Sequence, residues 1–189
     1  MALTTTQQQT LKTAILADGT LNTLPPNSDS AFTIAVAFNQ TDVSATKAWW
    51  TSTPVVNIFD SITWANYTPN DAPDSTVTYS NRSLNIQTKQ MNLQNMLVGR
   101  ITVDASKDNF RAGLRDAVIN LPAGTGGAFV QAAGASGVTA LTACLRPSNA
   151  TRAEKLFSGG SHTTGTVTAD VLIFEGSLAF TDVMVSMGW

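Results

Sequence analysis

Apolar positions recur every three to four residues along most of this chain, the spacing of helices that bury one side. Thr4 to Thr6 caps a first helix with Leu11, Ala14 and Ile15 on one face, and Asp18-Gly19 stops it. Pro25-Pro26-Asn27 is a loop. Ser28 or Asp29 then caps a second helix whose inward side is Phe32, Ala35, Val36 and Asn39. Thr41 to Trp50 has no clear period and reads as a loop with a turn of helix. Thr53-Pro54 opens a third helix with Pro54 at its first position, where a missing N–H costs nothing. Val55, Ile58, Phe59, Ile62 and Ala65 form its apolar row, which ends near Tyr67 before the acidic, proline-bearing loop Thr68 to Asp74.

Asn81 to Gly99 reads as a fourth helix. Leu84, Met91 and Val98 lie in one row and Ile86, Leu93 and Leu97 in another, which predicts burial on more than one side. Ser106 or Asp108 caps a fifth helix, with Phe110, Leu114, Ala117, Val118 and Leu121 inward and Arg111, Arg115 and Asp116 outward. Gly124 to Gly127 breaks the chain. A sixth helix from about Phe129 to Leu145 follows, closed by Pro147, and Thr151-Arg152-Ala153-Glu154 has the spacing of a capping box opening a short turn to Phe157.

After Phe157 the chain turns rich in Gly, Ser and Thr. Val171-Leu172-Ile173-Phe174 reads as a strand with Gly165 to Thr168 as its partner, and Thr181 to Met187 as a last helical turn. The predicted fold is therefore mainly α: a helical bundle of about five to six helices with a small β-hairpin or an extended C-terminal strand. Residues 1–157 form the helical domain, and residues 158–189 form a β-containing segment that packs on the bundle or on a neighbouring subunit.

Charge adds an asymmetry. Nine of the eleven basic residues fall between Tyr79 and Phe157, against Asp104, Asp108, Asp116 and Glu154, while the flanking parts are both net acidic. Such a basic middle points to a negatively charged partner, either nucleic acid or an acidic protein face. Charged residues are only 13% of the chain, against about 25% in an average domain, so Thr, Ser, Asn and Gln supply most of the polar surface. That composition suits a surface largely covered by partners. No run of about 18 apolar residues occurs, and Met1-Ala2-Leu3-Thr4 lacks the basic start and apolar run of a signal peptide; the expectation is a protein made in a cytoplasm, with no membrane contact.

No catalytic pattern accompanies these features. His162 is the sole histidine, in a run that reads as a solvated loop, and it has no second ligand for a metal nearby. Cys144 is the sole cysteine and sits among apolar neighbours, as a buried thiol does. A Gly-x-Ser-x-Gly elbow is missing, and Gly124-Thr125-Gly126-Gly127 lacks the Lys and Ser/Thr of a phosphate loop. These readings predict no enzyme, no cofactor and no metal. The candidates are instead interface or channel residues: Trp49, Trp50, Arg82, Lys89, Arg111, Arg115, Arg152, Lys155, Ile173 and Phe174. For the Trp49-Trp50 pair, a core plug and an interface anchor both fit.

Several stretches carry a resemblance. They are Leu3 to Lys12 (LTTTQQQTLK), Ile62 to Pro69 (ITWANYTP), Gln87 to Gln94 (QTKQMNLQ), Asn109 to Leu114 with Leu121-Pro122, Ala150 to Phe157 (ATRAEKLF), and Phe174-Glu175-Gly176 before a short terminal helix. Together they resemble a family of small proteins from the structural gene modules of tailed bacteriophages and prophages. Within that setting the chain is similar to head–tail joining proteins, the adaptors or connectors that sit as a ring beneath the portal. It departs from the pattern between Thr166 and Val171 and in the Gly-rich run from Gly124 to Gly137. The resemblance implies a virion structural protein at the head–tail junction, made in the host cytoplasm. It also implies a homo-oligomeric ring, portal and tail or neck proteins as partners, and non-specific contact with packaged DNA. The competing roles are a tail-terminator, a tail-tube or a capsid-decoration protein, and a small hydrolase acting during infection.

Overall fold

The computed structural model describes residues 2–42, 47–62, 79–118 and 140–189, with the backbone alone over 79–87. In chain order its helices are α1 (Thr5–Ala17), a 3-10 turn (Leu21–Thr23), α2 (Ser28–Asn39), α3 (Val55–Ser61), α4 (Tyr79–Leu97), α5 (Asp108–Val118), α6 (Arg152–Leu156) and α7 (Phe180–Met187). The strands are β1 (Thr53–Pro54), β2 (Thr102–Val103), β3 (Ser158–Thr164) and β4 (Val167–Leu172), paired β1 with β2 and β3 with β4. The fold is mainly α with two small antiparallel two-stranded sheets, and its helices outnumber the five to six expected. The chain forms two compact units. One comprises Met1–Ala48, Pro147–Ser161 and Asp170–Trp189, the other Trp49–Arg146 and His162–Ala169.

In the first unit α7 packs on both α1 and α2. Thr4 caps α1 through a capping box: its hydroxyl accepts from the Gln7 N–H at 3.3 Å, and the Gln7 side-chain oxygen accepts from the Thr4 N–H at 2.9 Å. Leu11 and Ile15 are wholly buried, as the spacing predicts, but Ala14 is half-buried. At α2 the expectation needs correction. Its cap is Asn27, which accepts from the Ser30 N–H at 2.8 Å, and its buried face is Ala31, Ile34, Ala35 and Phe38. Phe32 and Val36 are 62% and 43% exposed. Seven of the eight residues from Ala31 to Phe38 are apolar, so periodicity alone does not fix the phase; the packing of α7 does.

Two polar clasps hold the tail on this unit. Asn39 mimics a strand neighbour, donating to the Leu178 carbonyl at 2.9 Å and accepting from the Leu178 N–H at 2.8 Å. Glu154 completes the expected capping box of α6 with one oxygen, which accepts from the Thr151 N–H at 2.9 Å. Its other oxygen accepts from the Gly176 N–H at 3.1 Å. Phe174 is buried edge-on against Phe157, with ring centroids 5.3 Å apart.

In the second unit β1 pairs with β2, Thr53 opposite Val103. Pro54 lies in that strand and forms the N-cap of α3, one position earlier than predicted. The helix ends at Ser61, six residues before the expected end; Ile62 is buried but extended, and Ala65, Tyr67 and the loop Thr68 to Asp74 lie outside the described residues. α4 packs on α5, with Leu93, Leu97, Leu114 and Val118 buried. A Cβ on Gly113 would stand 3.2 Å from the Met96 methyl, so the missing side chain lets the two helices close up. The band on α4 is narrower than predicted, because Met91 and Val98 are 59% and 68% exposed. The side chains of Leu84 and Ile86 lie outside the described residues, as do Gly124 to Gly127 and most of the predicted sixth helix; its last turn, 140–143, is helical.

The hairpin also differs from expectation. β3 is Ser158–Thr164, the run read as a loop, and Gly165-Thr166 is the turn rather than a strand start. Gly165 has φ +62, which L side chains resist. Across the strands the Thr163 and Thr168 hydroxyls meet at 2.8 Å. Val171 and Leu172 end β4, so Ile173 and Phe174 fall outside it.

Candidate functional site

The densest chemistry lies in the second unit, around Arg111. Arg111 shares the i, i+3, i+7 row of Leu114 and Val118 on α5, so the helix that buries those leucine and valine side chains buries the guanidinium too. It is wholly buried, which corrects its outward placement from sequence. Nη1 donates to the Ala105 and Ser106 carbonyls, both at 2.7 Å, Nε donates to the Thr164 hydroxyl at 3.0 Å, and Nη2 donates to the Asp108 carboxylate. The Trp49 ring lies 4.5 Å beneath its central carbon. Burial pulls the Arg111 pKa below its ordinary value, and Asp104 works against that shift. Arginine nevertheless remains charged.

Trp49 is as deeply buried as Arg111, and its ring N–H donates to the His162 carbonyl at 3.1 Å. Trp49 is therefore the core plug of the two readings, with no side-chain surface left to anchor a neighbour. His162 stands in β3 rather than in a loop, with Nδ1 3.7 Å from the same Asp108 oxygen that Arg111 uses. Beside them Cys144 is buried, and burial pushes its thiol up to about 12, which keeps it protonated and unreactive. The arrangement is a satisfied polar core: Arg111 spends its donors on two carbonyls, a hydroxyl and a carboxylate.

The first unit holds a smaller constellation. Arg152 pairs with Asp18 at 3.3 Å and lies 5.0 Å over the Phe38 ring, while Lys155 pairs with Asp42 at 3.8 Å. Phe38, Asp42, Arg152 and Lys155, with Ala14 and Leu156, line a shallow hollow of about 300 Å³. A second hollow of about 400 Å³ follows the outer face of α1, lined by Thr6, Gln9, Thr13, Ala17 and Leu156. Thr10 and Thr13 bond their hydroxyls back to the Thr6 and Gln9 carbonyls at 2.9 Å, so that face presents methyl groups.

The predicted interface residues are thus scattered. Trp50 is half-buried, and its carbonyl accepts from the Ala105 N–H at 3.0 Å. Lys89 is half-buried and donates to the Asp116 carbonyl; burial lowers its pKa, against the pull of the Asp116 charge. Arg115 is exposed, near the Gly165 turn. Ile173 is 68% exposed, Phe174 buried. The Arg82 side chain lies outside the described residues. Sequence reasoning named Asp108 as a cap and Asn39 as an inward residue but missed that Asp108 pairs with Arg111 three residues on. It also missed the roles of Thr164 and Asn39, whose partners are distant in the chain; for Arg111 its place in the Leu114–Val118 row was a readable signal. No group of three or more His, Cys, Asp and Glu that could hold a metal occurs among the described residues, and no helix there is long and apolar enough to cross a membrane. No protein-family model matches the chain, and no curated protein or solved structure is significantly similar to it.

Proposed function

We propose that this chain is a virion structural protein of a tailed bacteriophage that forms a head–tail adaptor ring between portal and tail. The observation that carries the reading, beside the sequence resemblance, is the character of the surface. Among the described residues ten large apolar side chains are exposed, from Leu16 on α1 to Val185 on α7, on a chain with few charges. Phe32 and Val36 share the outer face of α2, and Met91 and Val98 that of α4, so part of this area forms apolar stripes of the kind an assembled subunit covers. The mainly α fold, with its helix-on-helix packing, goes with an adaptor rather than with a tube protein, whose wall is built from strands. Lys107 and Arg115 are exposed cations of the second unit and are the ones this reading assigns to packaged DNA. Such contacts carry no sequence preference and weaken steeply with salt.

Deletion of the coding gene tests the proposal by electron microscopy of the lysate. A missing joining ring leaves filled heads and finished tails side by side, unjoined. Heads with no tails at all would assign the chain to the tube. Complete particles would assign it to the capsid surface, or to a step after assembly if they fail to infect.

A further inference from the structure

We infer that copies of this chain associate head to tail, with the outer stripe of α2 on one copy seated against the C-terminal end of α4 on the next. The inference rests on the ring proposed above and names the faces that build it. The outward stripe of α2 is Asp29, Phe32, Thr33, Val36 and Gln40, spaced as one face of a helix. Phe32 and Val36 stand 62% and 43% exposed, and the Thr33 hydroxyl is turned back to the Asp29 carbonyl at 2.9 Å, so the ridge is apolar with a carboxylate at its N-terminal end. The outward stripe of α4 is Met91, Asn92, Asn95 and Val98. Gly99, at φ +75, then ends the helix and is followed by exposed Arg100 and by Ile101, which is 88% exposed. This second face sets apolar Met91, Val98 and Ile101 beside two uncharged amides, with a guanidinium at its C-terminal end.

The two faces complement one another in charge. With the helices antiparallel, Asp29 meets Arg100, Phe32 meets Val98 and Ile101, and Val36 reaches toward Met91, while the opposed helix dipoles attract. Because the surfaces are different, the contact is heterologous, the kind that closes into a ring or runs on as a filament. A stable contact buries about 800 Å² on each partner, so these stripes are the centre of a larger face.

Disulfide trapping on the full chain tests it. Cys144 is buried and protonated, so an introduced thiol is the reactive one. Phe32→Cys and Ile101→Cys chains, mixed under mild oxidation, are expected to give a cross-linked pair on non-reducing gels, while each variant alone stays uncrosslinked. In light scattering, Phe32→Ala weakens assembly by about tenfold or more. Asp29→Arg and Arg100→Asp each weaken it and together restore it. Links between two copies of the same variant, or none where light scattering shows assembly, would overturn these faces and leave the adaptor reading standing. A chain that stays monomeric at every concentration also overturns the inference, and virion copy number then judges the adaptor reading separately.

Discussion

Arg111→Met probes the second unit at its most buried charge. The substitution keeps the aliphatic stem and its packing but removes the guanidinium. Two carbonyls, of Ala105 and Ser106, lose donors at 2.7 Å, the Thr164 hydroxyl loses its 3.0 Å contact, and the Trp49 ring loses a cation 4.5 Å away. Each buried acceptor left unsatisfied costs about 1–3 kcal/mol, and the lost cation–π contact costs about 1–2 kcal/mol more. Relief of guanidinium desolvation offsets part of this. The net expectation is about 3–5 kcal/mol, a large share of the 5–15 kcal/mol (about) that holds a typical domain together. Urea unfolding followed by tryptophan fluorescence reads it, because Trp49 and Trp50 belong to the second unit. With a slope of about 2 kcal/mol per molar urea, the midpoint falls by about 2 M. Arg111→Lys, which keeps the charge but not the fork, should lose about half as much. A midpoint change under about 0.5 M for Arg111→Met would refute the claim that this residue organises the unit.

Three further outcomes follow from the geometry. The Leu21 and Thr20 N–H groups hold the Asp18 carboxyl below its ordinary pKa; desolvation opposes them, and Arg152 adds smaller contributions in the lowering direction. Its stabilisation is therefore present above the unfolded carboxylate pKa, about 4, and is lost as pH falls through the lower folded value; melting temperatures between pH 2 and 6 should fall less steeply for Asp18→Asn. Glu154→Ala removes the acceptor for both the Thr151 and Gly176 N–H groups and should cost about 2–3 kcal/mol, with Glu154→Gln losing less, by urea unfolding of the first unit. Cys144 should resist Ellman's reagent in the native chain at pH 8 and react at the unfolding rate; prompt labelling would contradict its burial.

The sequence made local features legible and left long-range ones hidden. Both capping boxes, Thr4 with Gln7 and Thr151 with Glu154, lie within four residues, and the first helix shows its core face through Leu11 and Ile15. The phase of α2 did not show, because apolar residues surround most of that helix and its true face is decided by α7, from the far end of the chain. β3 hides behind Gly159, Gly160 and Ser161, residues of weak strand preference that are ordered by pairing with β4. Arg111 read as an outer charge on ordinary exposure statistics, yet its partners Trp49 and Thr164 lie more than fifty residues away on either side. The contrast of Trp49 with Trp50, and of Phe174 with Ile173, has the same origin: sequence neighbours were sorted into different environments by tertiary packing.

The most direct test of the adaptor reading is the copy number of this chain in purified virions, measured by quantitative mass spectrometry against the major capsid protein. A single closed ring at the head–tail junction predicts roughly a dozen copies per particle. Hundreds of copies would place the chain in the tail tube or on the shell, and its absence from the virion would contradict the account altogether.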